Sequence, residues 1–174
     1  MHRRNILTGG TALIAAAGMV HARGASARPA PVQADDERFM ALAIEEARLA
    51  DYPFGAVIVR GGEVLARGHN STTLLDDPTA HGEMVAIRKF LAGRSSGALK
   101  GTTLYASGEP CCMCMGAIIW CGMSRLVYAA SMDELSAKIG QIMISSEDVA
   151  AKTPFAGIDI TGGVLSAEAM RLLK

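Results

Sequence analysis

Two spacings of apolar residues predict the first elements of this chain. Between Asp35 and Asp51 the apolar residues recur at near-helical spacing, and Asp35 or Asp36 is suited to cap the start of a helix. Ala56–Arg60 and Val64–Gly68 are short apolar segments that flank Gly61-Gly62, a pair typical of a two-residue hairpin turn. The pattern therefore predicts a helix followed by a β-hairpin.

Helices and strands are then predicted in alternation, after a polar loop over 70–78. The next helix runs from about Thr79, as its N-cap, to Leu91, so that His81 lies in its first turn. The later predictions are a strand at Thr102–Ala106, a helix at Pro110–Cys121, a strand at Arg125–Ala130, a short helix at Glu134–Ile139, a strand at Ile158–Thr161 and a helix from Ser166. Helices between successive strands predict an α/β fold with a mixed sheet covered on both faces.

The first 27 residues have the composition of an export signal. Arg3-Arg4-Asn5-Ile6-Leu7 is a twin-arginine pattern, and a modestly apolar segment, Ile6–Val20, follows it. Ala25-Ser26-Ala27 offers a cleavage site and Val20-His21-Ala22 a weaker one. A disordered tail or a membrane anchor is the alternative, but a spanning helix needs about 20 apolar residues.

We therefore predict three regions and a periplasmic location. Residues 1–27 form a twin-arginine-type signal peptide, residues 28–34 form a linker with Pro29 and Pro31, and residues 35–174 form the functional domain. A chain of 174 residues is long enough for one domain with a sizeable core. No membrane contact is expected of the mature form.

The charge of the chain is unevenly distributed. Residues 1–27 hold three of the 17 basic residues and no acidic residue, which leaves 14 basic and 17 acidic residues and a net charge of −3 in residues 28–174. A polynucleotide partner would favour a basic face. The charge therefore predicts a small-molecule substrate and no nucleic acid polymer.

The candidate chemistry lies in two short segments, His81-Gly82-Glu83 and Pro110-Cys111-Cys112-Met113-Cys114. One imidazole and two thiolates suit Zn²⁺ and leave its fourth tetrahedral position for water. This spacing is the signature of zinc deaminases that act on nucleobases. We predict a zinc centre held by His81, Cys111 and Cys114.

The spacing on the predicted helices supports this ligand set. Cys111 and Cys114 are three residues apart and share a helix face, near an N-terminus that favours thiolates. The other two cysteines, Cys112 and Cys121, are predicted to be small buried side chains. After the predicted signal, the only other histidine is His69, which lies outside the motif.

Glu83 is the predicted catalytic residue. Zinc lowers the pKa of bound water to about 7 in favourable sites. A carboxylate beside that water can take its proton and deliver it to a ring nitrogen and then to the leaving amine. The predicted reaction is hydroxide attack on an amino-bearing ring carbon with loss of ammonia.

Two hypotheses of other classes remain open. A thiol-redox protein could use Cys111 and Cys114, but it leaves His81 and Glu83 without a role. A structural zinc module would require a fourth protein ligand, which Cys112 or Cys121 would have to supply.

Around these motifs, residues 37–130 resemble the cytidine and deoxycytidylate deaminase superfamily, and within it the bacterial zinc-type guanine deaminases. The matching segments are Pro53-Phe54-Gly55-Ala56-Val57-Ile58-Val59, Asn70, Asp77-Pro78-Thr79-Ala80-His81-Gly82-Glu83, Leu104-Tyr105-Ala106-Ser107-Gly108-Glu109-Pro110-Cys111 and Gly116-Ala117-Ile118-Ile119-Trp120. The resemblance implies a three-layer α/β/α sandwich with a five-stranded mixed sheet, and a homodimer.

The resemblance also implies a set of substrate contacts. Asn70 is expected to hydrogen-bond a polar edge of the base, Phe54 to contact the ring face, and Trp120 to wall the pocket. The Gly82 N–H is expected to donate to a ring substituent, and Asp133 corresponds to a recognition carboxylate of guanine deaminases. For Phe54 and Trp120 a core position, and for Asn70 a turn cap, are the alternatives.

Two departures from the guanine deaminase pattern leave the identity of the substrate ring undetermined. Gly82 stands where many relatives have Ala, which is expected to remove a methyl group from the pocket wall. The segment 153–174 is unlike the guanine deaminase C-terminus. Guanine is the first candidate substrate, and cytosine, a nucleoside or a related amino-heterocycle is the alternative. The tRNA adenosine deaminases share the motif, but the charge and the export signal disfavour them.

Overall fold

The computed structural model describes residues 27–155 and 157–174. The predicted signal peptide, except for Ala27, lies outside the described residues. None of the helices in the described part is both long enough and apolar enough to cross a bilayer.

Six strands and seven helices make up the described part of the chain, together with a 3₁₀ turn at Ser96–Leu99. The strands are β1 Arg28–Pro29, β2 Gly55–Arg60, β3 Glu63–His69, β4 Thr103–Gly108, β5 Arg125–Ala130 and β6 Asp159–Thr161. The helices are α1 Asp36–Ala47, α2 Thr72–Leu75, α3 Gly82–Leu91, α4 Cys112–Trp120, α5 Met132–Ser136, α6 Ser146–Ala151 and α7 Ser166–Met170.

The strands form one mixed sheet in the order β1-β6-β5-β4-β2-β3. Strand β2 is antiparallel to both β3 and β4, whereas β4, β5, β6 and β1 are mutually parallel. Every residue of β5 is buried, as expected for a parallel strand covered on both faces. The sheet thus combines a hairpin edge with a parallel half.

A hydrophobic core lies on each face of this sheet. On one face Ile58 and Leu104 pack with residues of α3 and α4, such as Ile87 and Met115. On the other face the core is built by α1, α5 and α7 with the alternate strand residues, among them Phe39, Val57, Tyr105, Leu135 and Ala169. The predicted α/β/α sandwich is therefore confirmed.

The sheet has six strands rather than the expected five, because the predicted linker contributes one. Arg28 and Pro29 pair with Asp159 and Ile160 of β6, and the Arg28 guanidinium lies 2.8 Å from the Asp159 carboxylate. Proline lacks an N–H group and is tolerated on an edge strand, where no neighbour requires that donor. The predicted linker over 28–34 therefore begins with a two-residue edge strand.

Several predicted boundaries also shift. The Gly61-Gly62 turn is confirmed, and both residues have positive φ, 57° and 81°. Helix α3 begins at Gly82 rather than near Thr79, because the Asp77 carboxylate accepts both the N–H and the hydroxyl of Thr79 in a local turn. The short helices α2 and α6 were not predicted.

A buried ion pair joins α1 to the sheet at the end where β5 begins. Arg125 donates two hydrogen bonds to Asp36, of 2.6 and 2.8 Å, and Tyr105 donates a third of 2.9 Å. Burial opposes ionisation of Asp36, but the bonds from Arg125, the Gln33 N–H and Tyr105 outweigh it and hold the pKa of Asp36 below its usual value. The pair therefore remains ionised at neutral pH.

We predict that Asp36→Asn lowers the free energy of unfolding by about 3–5 kcal/mol, because it leaves the Arg125 charge buried without a counter-ion. Tyr105→Phe, which removes one neutral donor, should cost about 1–2 kcal/mol. Urea unfolding of both variants against the wild type measures the difference. Equal small losses would show that the pair contributes no more than an ordinary hydrogen bond.

The lowered pKa of Asp36 also sets a pH dependence. Its contribution to stability is complete above the unfolded-state value of 3.8 and is lost as the pH falls through the lower folded value. We expect the wild type to lose more stability than Asp36→Asn over that acid range. Thermal unfolding of both proteins at stepwise lower pH tests this.

Candidate active site

Two helix N-termini bring the predicted metal ligands together. His81 is the N-cap of α3 and Cys111 is the N-cap of α4, both with extended backbone, and Cys114 lies in the first turn of α4. Neither N-cap side chain makes a capping hydrogen bond to the first turn of its helix. Both ligand side chains at the helix caps are thus available to the metal.

The distances fit a zinc ion. Zinc bonds of about 2.3 Å to sulfur and about 2.0–2.1 Å to nitrogen, at a tetrahedral angle, place the two ligand atoms about 3.6 Å apart. His81 Nδ1 lies 3.7 Å from Cys111 Sγ and 3.6 Å from Cys114 Sγ. The predicted ligand set His81, Cys111 and Cys114 is therefore preformed, and zinc is the metal that this donor set suits.

The donor group contains three protein ligands. In the part of the chain that the structure describes, the only group of three or more potential ligands within 4.8 Å of one another is His81, Cys111 and Cys114. Cys112 and Cys121 are not part of it. The hypothesis of a structural zinc site with four protein ligands therefore lacks its fourth ligand, and an open coordination position is the arrangement of a catalytic site.

The predicted metal ligands shift one another's pKa values. A hydrogen bond with Cys114, together with the contact to His81, outweighs burial and lowers the pKa of Cys111 to about 4. The same thiol pair, with burial, raises the pKa of Cys114. A metal that binds both sulfurs must displace the remaining thiol proton, so zinc affinity is expected to increase with pH.

Glu83 is buried in the first turn of α3, beside the ligands. Burial is the largest effect on this carboxyl and raises its pKa above the usual value, and the negative charge of Cys111 adds to the shift. A raised pKa suits a carboxyl that must both take up and release a proton.

The register of the sheet places the predicted ring-binding residues at the same edge. His69 pairs with Gly55 and Ala56 pairs with Ala106, so the chain just before β2, just after β3 and at the end of β4 meets there. The Asn70 N–H donates to the Phe54 carbonyl at 2.8 Å. Phe54 and Asn70 are therefore fixed relative to each other before any substrate binds.

A cavity of about 560 Å³ opens beside the metal ligands and continues into a smaller one of about 50 Å³. Phe54, Asn70, His81 and Cys111 line both, and Glu83 lines the inner one. The larger volume is within the range of small-molecule sites. The inner cavity is thus lined by the predicted proton carrier, two of the three predicted ligands and the two predicted ring contacts.

Hydrogen bonds to Thr72 fix the orientation of the Asn70 side-chain amide in this cavity. Its side-chain carbonyl accepts the Thr72 N–H at 3.2 Å and the Thr72 hydroxyl at 2.9 Å, at the start of α2. The turn-capping role that sequence reasoning offered as the alternative is therefore real. It coexists with substrate contact, because it leaves the amide N–H₂ group to donate to a ligand acceptor.

Two predicted substrate contacts lie away from this cavity. Trp120 is 77% exposed at the end of α4, where its ring packs against Phe155 at a centroid distance of 4.8 Å and lines a separate cavity. Asp133 is exposed in the first turn of α5 and is not among the lining residues, whereas Leu135 of the same helix is. In the single chain neither residue meets the site.

The missing side chain of Gly82 faces the backbone at the start of β2. A Cβ at this position would lie 3.1 Å from the Phe54 carbonyl oxygen and 3.3 Å from the Gly55 Cα, so it would meet backbone of the strand entry. Gly82 is not a lining residue of either cavity. The expectation that glycine here removes a methyl group from the pocket wall was wrong, because that position faces β2.

Sequence reasoning missed the carboxylate that organises the far wall of the site. Glu109, buried at the end of β4, accepts the Met132 N–H and the Ser146 N–H at 2.7 Å each. These donors lie at the starts of α5 and α6, so one side chain fixes both ends of the intervening segment. Its position between a buried strand and Pro110-Cys111 was the available indication.

The comparisons with known proteins agree with this geometry. Residues 33–130 match the family described as the cytidine and deoxycytidylate deaminase zinc-binding region, which is more than half of the chain. A tRNA-specific adenosine deaminase of Agrobacterium fabrum is 34% identical over 145 residues, covering 81% of this chain and 93% of that enzyme. The chain belongs to this zinc-binding deaminase family, and the predicted resemblance and metal are confirmed.

Guanine deaminases are also among the similar proteins. The enzyme of Bacillus subtilis (strain 168) is 49% identical over 78 residues, which cover 45% of this chain and only half of that enzyme. A solved structure of guanine deaminase from Nitrosomonas europaea has a TM-score of 0.69 and 27% identity, covering 99% of this chain and 97% of that one.

We predict that Cys111→Ala and Cys114→Ala each abolish stoichiometric zinc binding, because two protein ligands hold the ion poorly. Cys121→Ala, a half-buried cysteine outside the ligand group, is the matched control and should retain zinc. Metal analysis with thiol titration measures both. Wild-type protein that binds no zinc but oxidises its thiols reversibly would support the thiol-redox hypothesis instead.

We further predict that Glu109→Gln destabilises the protein by about 1–3 kcal/mol. The two N–H groups are bonded to different carboxylate oxygens, and in glutamine one of these oxygens is replaced by an N–H₂ group that cannot accept. Hydrogen exchange at Met132 and Ser146 should accelerate, whereas Glu37→Gln, an exposed change in α1, should leave both amides unaffected. Unchanged exchange in Glu109→Gln would mean that the carboxylate does not hold this segment.

Proposed function

We propose that this protein is a hydrolytic zinc-dependent deaminase of a free nucleobase, with guanine as the first candidate. The observation that carries the proposal is the cavity lined by Glu83, by His81 and Cys111 of the three-residue ligand group, and by the proposed ring contacts Phe54 and Asn70. Zinc, when bound, supplies a Lewis acid that lowers the pKa of water at the open fourth position.

The residues of the chain supply binding and proton transfer. Phe54 contacts the ring and the Asn70 amide donates to an acceptor on its edge, which holds the amino-bearing carbon toward His81 and Cys111. Glu83 takes a proton from the attacking water and delivers it to the neighbouring ring nitrogen. The water oxygen forms the new C–O bond, the C–N bond breaks, and the second proton leaves with ammonia.

Three observations support a free base. The cavity of about 560 Å³ suits a single heterocycle. Residues 28–174 carry a net charge of −3, which disfavours a polynucleotide. The likeness to the Nitrosomonas europaea guanine deaminase extends over nearly the whole of both chains.

Deamination of a tRNA adenosine is the second candidate. The Agrobacterium fabrum enzyme of that name is covered over 93% of its length, against half for the Bacillus subtilis guanine deaminase. The two candidates share the zinc site and differ in what surrounds it. A tRNA substrate assayed beside the free bases separates them.

We also propose that the protein is exported by its twin-arginine-type leader and works as a homodimer in the periplasm. Arg3 and Arg4 support export, and the family resemblance supports the dimer. Fractionation of cells that express the wild type or an Arg3→Lys/Arg4→Lys variant, followed by sedimentation of the exported protein, tests both proposals.

Glu83→Gln should keep the fold and the zinc but lower kcat by about 100- to 10,000-fold, because an amide cannot carry the proton. Glu63→Gln changes an exposed carboxylate at the start of β3 and serves as the matched control. Ammonia release and metal content are measured on the same samples. Full activity of Glu83→Gln would remove Glu83 from the mechanism.

The substrate is tested by ammonia release from guanine, adenine, cytosine, isocytosine, cytidine and guanosine with zinc-loaded protein. Selective turnover of guanine is the expected result. Preference for another ring would keep the site chemistry and replace the substrate. Turnover of the tRNA adenosine alone would establish the second candidate.

A further inference from the structure

The segment between α5 and α6 forms the remaining wall of the cavity. Ile139, Gly140, Gln141 and Ile142 line the larger cavity opposite the metal ligands, and Gln141 also lines the inner one. Gln141 is half-buried, whereas Ile142 is 61% exposed. Gln141 is therefore the residue of this segment that extends deepest toward Glu83.

This segment is held mainly at its two ends. Lys138 and Ile139 donate their N–H groups to the Leu135 carbonyl, and the next described attachment to the rest of the domain is the Ser146 N–H bond to Glu109. Between them, the one backbone bond is local, from Ile144 to Ile142. The Glu109 carboxylate thus sets the position of a segment whose own backbone makes few bonds.

The polar groups on the cavity differ in what they can still bond. The Asn70 carbonyl is occupied by Thr72, and both oxygens of Glu109 are occupied by backbone N–H groups. No hydrogen bond joins the Gln141 side chain to another residue of the described part. Its amide therefore retains both an acceptor and donors for a ligand.

We propose that Gln141 is a specificity-determining residue that contacts the substrate ring. This inference rests on the proposed function and deepens it. With the amino-bearing carbon held at the metal ligands, guanine and isocytosine still present a lactam edge, where a ring N–H donor adjoins a carbonyl acceptor and a primary amide can pair with both. Adenine in that orientation has no such edge, because it has no ring carbonyl and its amino group lies at the metal ligands. With Asn70 limited to donating, Gln141 is positioned to accept the lactam N–H while it donates to the neighbouring carbonyl oxygen.

The test compares ring binding in a background without turnover. In zinc-loaded Glu83→Gln protein, calorimetry measures the affinity of guanine, isocytosine and adenine with and without Gln141→Met, a substitution of similar length that cannot hydrogen-bond. Gln33→Met is the matched control, since Gln33 is the other glutamine of the chain and is exposed on the segment before α1. Gln141→Glu keeps the acceptor and removes the donors.

Gln141→Met should weaken the binding of guanine and isocytosine about tenfold or more, because it removes the two neutral hydrogen bonds proposed for this amide. The binding of adenine should weaken by less than about twofold. The affinity of Gln141→Glu for guanine and isocytosine should lie between those of the parent protein and Gln141→Met. Gln33→Met should bind all three rings with the affinity of the parent. Equal weakening of all three rings, or none, would overturn the assignment of Gln141.

Turnover assays with Glu83 intact separate this inference from the function. Lactam-selective weakening without turnover of any base would reject deamination while supporting Gln141 as a ring contact. Turnover of guanine with no ring selectivity in Gln141→Met would reject Gln141 alone. Failure of all three rings to bind the zinc-loaded protein would reject both proposals.

Discussion

The site depends on the convergence of two helix N-termini at one edge of the sheet. The helices α3 and α4 begin with ligand residues at their N-caps, so His81 and Cys111 approach each other where helix dipoles and unpaired N–H groups favour negative sulfur. The parallel pairing of β4 with β5 and the antiparallel pairing of β2 with β4 fix these starts. The metal geometry follows from strand register, which a shift of one residue would destroy.

The predicted substrate contacts, Phe54 and Asn70, lie at the same edge of the sheet. They flank β2 and β3, which begin and end there. Close packing makes this possible. A Cβ on Gly108 would lie 2.8 Å from the Phe54 ring, so glycine at the end of β4 allows that ring to pack against the strand. Glu109 then turns its carboxylate to the starts of α5 and α6. One β-strand end thus positions a ring contact, a metal ligand and the opposite wall.

The buried ion pair and the candidate active site lie at opposite ends of the parallel strands. The Asp36–Arg125 pair lies where β5 begins, and Ala130, at the other end of β5, accepts the Glu109 N–H. An ionised pair buried at the first end anchors α1 without adding charge to the cavity.

The sequence by itself determined the metal-binding residues and the alternation of helices and strands, and it predicted Glu83 as the proton carrier. His81, Glu83, Cys111 and Cys114 were predictable because their roles depend on residue type and on spacing within one or two helical turns. Strands β2, β3 and β5 were predictable because their apolar segments are bounded by glycines or polar turns. The ends of the elements were less predictable, because a local hydrogen bond, such as that from the Thr79 N–H to the Asp77 carboxylate, decides where α3 begins.

Tertiary structure alone decided which distant residues share the cavity. Gln141 carries no local pattern that marks it, and Glu109 is marked only by its position between a buried strand and Pro110-Cys111. No local pattern indicates that Trp120 and Asp133 lie away from the cavity. The reason is physical: spacing along a helix or strand is set by the backbone, whereas the wall opposite the metal is set by how a segment of few internal bonds is tied to a buried carboxylate. That tie joins residues 23 and 37 positions apart, beyond the reach of any periodicity.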